Sequence, residues 1–329
     1  MEHVHLLIPG LFPPSGIAAQ VSAGLQVPAL RKLLSRAGVS TSATGTLEDR
    51  LCAAFGVQAV APIRAAADGL ETGESYWLCA DPVNLQLQHA QVMLLSVAPS
   101  LEEASALCAC LNGHFDGMGL RFSAPHPQRW YVRLETEPQM TTSPLRLAAG
   151  GDAKLHQPQG ADALHWQRIA TEVQMLLYAH PVNQARAARG EMMVGSLWFW
   201  GGGRASPPVQ VFDAVGGDGG LAGMFARGAG IPQPGSLQAM LAASGMRGLW
   251  VCEMPDAAMQ RGDVYAWREA VQMVERDQAQ PLLRALQAGR LQRLTLEVVC
   301  GQDVQRFGLG RGDAWKLWRA ARPLAKYAV

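Results

Sequence analysis

Predicted strands and helices alternate along the two outer parts of the chain, and this alternation constrains the fold more than any other feature. A buried strand over 4–9 stops at Pro9-Gly10, and helical spacing follows over 29–38 and 47–56. Strands and helices alternate again after residue 196. Such alternation is typical of a mostly parallel sheet that helices cover. The sequence therefore predicts an α/β fold.

The middle of the chain has a different order. Over 75–136 the pattern predicts strand, strand, helix and strand, which suits a small α+β insert better than a continued parallel sheet. The segment 141–162 is rich in Gly, Pro and small polar residues, and it is typical of a connecting loop. We therefore predict an α/β core from residues 1–74 and 146–329, with an α+β insert domain at 75–145.

Several further elements are predicted from local signals. Ser100 and Glu103 have the spacing of a capping box at the start of a helix over 100–115. A helix over 163–181 is expected to end at Pro181, and a long helical stretch to break or kink at Pro281. Strands are also predicted over 196–200 and 208–213, and a last helix over 312–320.

Composition favours a protein with a sizeable core and without a nucleic-acid or membrane partner. Of the 329 residues 49% are apolar, and a net charge of +1 makes no electrostatic case for nucleic acid. No apolar run approaches the roughly 18–20 residues that a membrane-spanning helix needs. The N-terminus lacks the positive region of a signal peptide, and the six scattered Cys suit a reducing compartment. We expect a cytoplasmic protein.

One stretch, HPVNQARAARGEMMVGSLWFWGGG over 180–203, gathers residues suited to an anion. Arginine side chains offer planar forks to carboxylate or phosphate, and a strand that ends in glycines lets a ligand approach the backbone. The alternative interpretation is a helix cap, a tight turn and an aromatic core. We predict ligand-binding roles for seven residues of this stretch, namely Asn183, Arg186, Trp198, Trp200, Gly201, Gly202 and Gly203.

A second polar motif, Ala-Asp-Pro-Val at 80–83, ends a predicted strand. Asp81 and Asn84 are predicted to face the same pocket as Arg186 and to bind the ligand with it. The alternative is turn chemistry, because Asp-Pro commonly starts a turn.

The order of these motifs resembles a known family. The pattern Asn183-x-x-Arg186-x-x-x-Gly190 before an aromatic, glycine-ended strand is similar to a segment of the archaeal-type 2,3-bisphosphoglycerate-independent phosphoglycerate mutases. LCADPVNLQLQHAQVML, LEEASALCACLN and RWYVRL are similar to further segments of that family, and the resemblance covers residues 3 to 203. The LIPGL, ADPV and SLWFWGGG blocks resemble more closely those of bacterial proteins labelled RpfE-type regulatory proteins.

The resemblance implies an alkaline phosphatase-like fold, two divalent metals held by Asp and His, and a Ser nucleophile. The sequence departs from each catalytic feature. Pro9-Gly10 stands where the family has an Asp ligand, and Thr46 stands at the nucleophile segment, where it is also a good helix N-cap. None of the eight His follows His180. Carboxylates remain as Mg²⁺ or Mn²⁺ ligands, namely those of Asp213, Asp218, Asp256, Asp263, Asp303 and Asp313.

These departures predict a catalytically degenerate, mutase-like protein in a regulatory role, without a metal cofactor. Its partner would be a small anionic ligand or another protein. The alternative is an active metal-dependent phosphomutase or phosphohydrolase with an altered Mg or Mn site, in which Thr46 is the nucleophile. A third possibility is a structural protein that uses an apolar surface.

Overall fold

The computed structural model describes residues 1–41, 44–88, 90–149 and 151–328. The chain forms two compact units. The first unit combines Met1–Gly56 with Pro208–Val329, and the second unit is Val57–Pro207. The insert predicted at 75–145 is only part of the second unit, whose bounds lie further out on both sides.

Strands and helices alternate over much of the chain, as the sequence predicts. The strands are β1 (His3–Pro9), β2 (Gly38–Thr41), β3 (Tyr76–Gln88), β4 (Gln91–Ser96), β5 (Leu120–His126), β6 (Arg129–Leu134), β7 (Ser196–Arg204), β8 (Ala214–Gly217), β9 (Arg247–Val251), β10 (Arg293–Cys300) and β11 (Asp303–Gly310). The α-helices are α1 (Ser15–Val21), α2 (Pro28–Arg36), α3 (Leu47–Phe55), α4 (Ala61–Ala67), α5 (Leu101–His114), α6 (Leu145–Ala149), α7 (Ala163–Ala179), α8 (Pro181–Ala188), α9 (Gly220–Gly228), α10 (Leu237–Ala242), α11 (Met254–Gln260), α12 (Val264–Val274) and α13 (Gln280–Gln287).

The first unit is built on a six-stranded sheet in the order β2-β11-β10-β1-β9-β8. The strands β10, β1, β9 and β8 run parallel to one another, while β11 and β2 are antiparallel additions at one edge. A parallel-rich sheet with covering helices agrees with the predicted α/β class. Parallel strands need crossover connections, and the helices between β8, β9 and β10 supply them.

The central strand β1 shows why this sheet is stable. Leu6 and Ile8 are fully buried and pair in register with Leu296 and Val298 of β10. They belong to a core that includes Trp267 of α12 and residues of α2 and α13. The other face of the same strands carries polar side chains. On that face the fully buried Glu297 accepts hydrogen bonds from Arg50 and Arg306.

The predicted break at Pro281 takes the form of a π-helical turn over Glu275–Ala279, between α12 and α13. Proline has no backbone N–H and cannot continue the helical hydrogen bonds, so a wider turn precedes it. The turn directs Glu275 to the start of α2. Its carboxylate accepts from the N–H groups of Ala29 at 2.9 Å and Leu30 at 2.8 Å, which are free donors of a helix N-terminus.

Two predicted elements of the first unit are wrong. No strand forms over 208–213, and β8 begins only at Ala214. The helix predicted over 312–320 is a single 3-10 turn over Arg311–Trp315. Gly310 and Gly312 weaken helix formation there, and Asp313 bonds back to the Gly310 N–H at 2.7 Å instead of continuing the helix.

The second unit contains an antiparallel sheet whose centre is the 13-residue strand β3. Over Tyr76–Cys79, β3 pairs with β6 on one side and β7 on the other, and β5 pairs with β6. Its second half forms a hairpin with β4. Because β7 comes from the segment after 146, this pairing draws predicted core residues into the second unit.

Helices α5 and α7 cover the apolar face of this sheet, with Trp130, Phe115 and Trp166 in the core. The predicted Ser100–Glu103 capping box is present at the start of α5. The helix predicted over 163–181 ends at Ala179, and Pro181 then begins α8, where a missing N–H costs nothing. In the part of the chain that the structure describes, no helix is long and apolar enough to cross a membrane.

Candidate anion-binding site

The side chain of Asn183 links the start of α8 by hydrogen bonds to the segment that leads into β7. The residue is fully buried. Its Nδ2 donates to the carbonyl oxygens of Leu177 at 2.7 Å and Val194 at 2.8 Å, and its Oδ1 accepts from the Val194 N–H at 2.9 Å. These bonds occupy the amide inside the protein, so Asn183 fixes the backbone on which the neighbouring arginines lie.

Arg186 and Arg189 hold two carboxylates between them. Arg186 Nη1 lies 2.6 Å from a Glu103 oxygen and 3.2 Å from a Glu191 oxygen, and its Nε donates to the Met192 carbonyl at 2.9 Å. Arg189 donates to Glu103 at 2.7 Å and, through two nitrogens, to Glu191 at 2.8 and 2.9 Å. We call Glu103, Arg186, Arg189 and Glu191 the arginine–glutamate cluster.

The two glutamates of this cluster differ in exposure and in role. Burial alone raises the pKa of Glu103, but hydrogen bonds from the Ser100 N–H and both arginines lower it overall. The hydrogen bond from Arg189 lowers the pKa of Glu191. The Glu103 side chain is 18% exposed and also caps α5, whereas the Glu191 side chain is 43% exposed and bonds only to the arginines in the described contacts. Glu191 is therefore the more exposed and less constrained carboxylate of the cluster.

Asn84 reaches the same segment from β3. Its Nδ2 donates to the Met193 carbonyl at 3.0 Å, and a Cβ placed on Gly195 would lie 3.3 Å from that nitrogen. The structure thus brings Asn84, Asn183 and Arg186 together on the backbone of residues 190–195. Asn84 and Arg186 both donate hydrogen bonds to backbone carbonyl groups of this segment.

Asp81 belongs to a different cluster. It is 2% exposed, and its carboxylate accepts from both terminal nitrogens of Arg64 at 3.0 and 3.1 Å and from Trp200 Nε1 at 2.8 Å. Burial alone would lower the pKa of Arg64, but Asp81 raises it well above its usual range. Asp81 and Trp200 therefore lie together, as a shared binding site requires. The group that they surround is the guanidinium of Arg64.

Arg64 was not predicted, although it is the single charged residue in the apolar helix APIRAAA. Its guanidinium lies 5.0 Å from the ring centroid of Trp200 and 5.7 Å from that of Tyr131. The Tyr131 hydroxyl donates to Asp68 at 2.6 Å, and Asp68 also accepts from Arg129 at 2.7 and 2.8 Å. Burial raises the pKa of Tyr131, so its phenol stays protonated. We call this the Arg64 network.

The glycine triplet lies inside β7 rather than after it. A Cβ on Gly202 would lie 2.5 Å from the side chains of Leu78 and Tyr76, and one on Gly203 would lie 2.3 Å from Ala59. Gly201 has a φ of +67°, which favours glycine. The protein's own side chains fill the space that these glycines leave. Trp198, also buried, donates its Nε1 to the Ser143 carbonyl at 2.9 Å.

Thr46 lies in the first unit, where it is the N-cap of α3. Its hydroxyl donates to Asp49 at 2.8 Å and accepts from the Asp49 N–H at 3.3 Å, and Asp49 in turn accepts from the Thr46 N–H. This is a complete capping box. The residue is 5% exposed, and the cap accounts for its position.

The carboxyl ends of the parallel strands are where the family resemblance places two metals. At the end of β1, a Cβ on Gly10 would lie 2.4 Å from the backbone of Asp256. Asp218 accepts from the N–H groups of Glu253 and Met254 at the start of α11. Within residues 1–41, 44–88, 90–149 and 151–328, no three His, Cys, Asp or Glu side chains are grouped to hold a metal ion.

Comparison with solved structures shows a shared fold. No family model matches the chain, and no curated protein matches it. The PH0037 protein from Pyrococcus horikoshii is similar, with a TM-score of 0.56 and 14% identity over 99% of this chain and 92% of that chain. A cofactor-independent phosphoglycerate mutase from Thermoplasma acidophilum DSM 1728 has a TM-score of 0.46 and 14% identity, over 98% of this chain and 94% of that chain.

Proposed function

We propose that this protein is a catalytically degenerate relative of the phosphoglycerate mutases that binds a small anionic ligand in a regulatory role. The binding groups are Arg186 and Arg189. The ordered motifs of residues 3 to 203 support the family relation, and the capping role of Thr46 supports the loss of catalysis. Asn183 and Asn84 are positioning residues in this proposal.

The observation that carries the proposal is the position of Glu191. Its exposed carboxylate already bonds through two oxygens to Arg189 and lies 3.2 Å from Arg186 Nη1. Two guanidinium groups that hold one carboxylate present the planar forks that also fit a phosphate or a ligand carboxylate. Glu191 thus occupies the position that we assign to the ligand.

The charge of the arginine–glutamate cluster determines which anion can replace the Glu191 carboxylate. The cluster contains two guanidinium groups and two carboxylates, so it is neutral while Glu191 is bound. Exposed ion pairs are weak, because water and salt screen them and side chains lose freedom in forming them. A phosphate ester with a second negative charge competes better than a monocarboxylate. We therefore assign phosphorylated small acids as the ligand class.

Calorimetric titration with inorganic phosphate and 3-phosphoglycerate tests this proposal. We expect 3-phosphoglycerate to bind without added metal, Glu191→Gln to tighten binding, and Arg189→Gln to weaken it by roughly tenfold or more. Arg276→Gln removes another exposed arginine that pairs with a neighbouring carboxylate, Asp277, and serves as the matched control. Unchanged affinity in Arg189→Gln, or binding only in the presence of Mg²⁺ or Mn²⁺, would contradict the proposal.

A further inference from the structure

The segment Arg311–Ala328 of the first unit is held in place by hydrogen bonds to α2 and its surroundings. The Arg31 side chain donates to the carbonyls of Ala321 at 3.0 Å and Arg322 at 3.1 Å, and Arg319 donates to the Ala37 carbonyl at 2.9 Å. Tyr327, within the segment, stacks on Phe12 with ring centroids 5.6 Å apart. The segment therefore presents a defined surface.

This surface exposes two tryptophans and a leucine close together in sequence. Trp315 is 56% exposed, Leu317 71% and Trp318 78%. The other seven of the nine tryptophans are each at most 8% exposed. Val39 of the edge strand β2 is 62% exposed and lines one groove together with Trp318. Exposed apolar side chains grouped in this way indicate an interaction site, since single exposed apolar residues are ordinary.

Positive charge surrounds the same apolar side chains. The whole chain has 28 basic and 27 acidic residues, and the segment has five of the basic and one of the acidic. The exception, Asp313, pairs with Lys316. Arg319 donates to a backbone carbonyl. Burial alone raises the pKa of Asp313, but Lys316 and the charge of Arg319 lower it, so two cations of the segment share one carboxylate. Exposed Trp and Leu side chains between cations complement a partner that has an apolar layer beneath negatively charged groups.

Although the composition of the whole chain predicts no membrane partner, the local charge and exposed tryptophans differ from that average, and we propose that Arg311–Ala328 docks the protein on an anionic lipid bilayer. Tryptophan prefers the boundary between head groups and acyl chains, and Lys and Arg bind anionic head groups while their stems stay in the apolar region. Leu317 and Val39 have no ring to stack on a base, and this favours a bilayer over single-stranded nucleic acid. Trp315, Leu317 and Trp318 are all exposed within four residues, which suits entry into a lipid interface.

Flotation with lipid vesicles tests the proposal on the full chain. We expect binding to vesicles of phosphatidylcholine with 30% phosphatidylserine, weak binding to phosphatidylcholine alone, and loss of binding at high salt. Because Trp315 and Trp318 are the exposed tryptophans, their emission should shift to the blue when anionic vesicles are added.

Variants separate the apolar contribution to vesicle binding from the electrostatic contribution. Trp315→Ser with Trp318→Ser should weaken binding at least tenfold. Lys316→Gln with Arg322→Gln should weaken it by roughly 25-fold, at about fivefold for each charge. Leu164→Ser and Arg276→Gln change an exposed leucine and an exposed arginine elsewhere and should leave binding unchanged. Circular-dichroism melts confirm that each variant is folded.

Three results would overturn the proposal. Equal binding to both vesicle types that the tryptophan variants do not alter would show a non-specific contact. Binding to single-stranded DNA without binding to anionic vesicles would assign the surface to nucleic acid. A blue shift that depends on protein concentration and not on vesicles would assign it to a second copy of this chain.

Discussion

The arginine–glutamate cluster and the Arg64 network use the same chemistry at different depths of the second unit. In each, a guanidinium group holds carboxylate oxygens at 2.6 to 3.2 Å. Arg64 and Asp81 are 7% and 2% exposed, whereas the side chains of Arg189 and Glu191 are about half exposed, at 48% and 43%. The two arginine pairs therefore differ in burial and not in bond geometry, and we expect burial to determine which of them stabilises the fold.

The largest effect is expected from Asp81→Asn, which keeps the shape of the side chain but leaves the Arg64 charge buried and unpaired. Breaking a buried ion pair in this way typically costs about 3–5 kcal/mol of unfolding free energy. The amide oxygen of asparagine can still accept the hydrogen bond from Trp200. The loss of unfolding free energy therefore reports on the missing negative charge. Urea denaturation measures it. A loss below about 1 kcal/mol would show that water reaches Arg64 and would remove the contrast between the two clusters.

Replacing both partners gives a further control. Arg64→Leu combined with Asp81→Leu removes the charges together, and such replacements are often neutral or stabilising. We expect the double variant to be more stable than Asp81→Asn alone. If it is less stable, the hydrogen bond to Trp200 and the contact with Tyr131 matter more than the ion pair.

Glu297 in the first unit extends the comparison to pH. Burial alone raises the pKa of Glu297, but His5, Arg50 and Arg306 lower it to about 2. Because the folded-state pKa lies below the usual glutamate value of 4.5, the stabilisation is present above pH 4.5 and is lost as pH falls towards 2. The shift corresponds to about 3 kcal/mol.

Denaturation of the wild type and of Glu297→Gln across this pH range isolates that contribution. The difference between their unfolding free energies should shrink as pH falls from 4.5 to 2. A constant difference would mean that the glutamine loses packing alone and that Glu297 behaves like an exposed carboxylate.

An intermediate effect is expected from Asn183→Ala, which removes the buried link under the arginine–glutamate cluster. The Val194 N–H and carbonyl lose their partner in a buried site, at a cost of about 2–3 kcal/mol. Asn84→Ala is the matched control, since its one described bond reaches a single carbonyl, and about 1 kcal/mol is expected. Urea denaturation ranks the two, and equal losses would show that Asn183 has no special role.

Sequence patterns predicted the class of the fold and the helix caps, but not which distant side chains pair with each other. The alternation, the Ser100–Glu103 box and the Thr46 cap are set by residues within a few positions of each other. Trp200 and Asp81, by contrast, are 119 positions apart, and Glu103 and Arg186 are 83 apart. Their partners depend on which strands and helices become neighbours, and local spacing in the sequence does not show this.

The glycine triplet shows the same limit. Three glycines after an aromatic strand suggested an approach of a ligand to the backbone, and the sequence was equally compatible with an approach of the protein itself. The structure shows Leu78, Tyr76 and Ala59 at that place. Spacing therefore predicted that something lies close to Gly202 and Gly203, and tertiary packing determined what it is.

The smallest effect on stability is expected from Glu191→Gln, which makes the same chemical change as Asp81→Asn at the exposed cluster. Arg186 keeps its bonds to Glu103 and to the Met192 carbonyl, and Arg189 keeps its bond to Glu103, so no charge is left buried and unpaired. Solvent already screens the Glu191 pair. The urea midpoint should therefore not change measurably, while the affinity for 3-phosphoglycerate rises. A clear loss of stability would show that Glu191 supports the fold as Asp81 does, and that the position we assign to the ligand is closed.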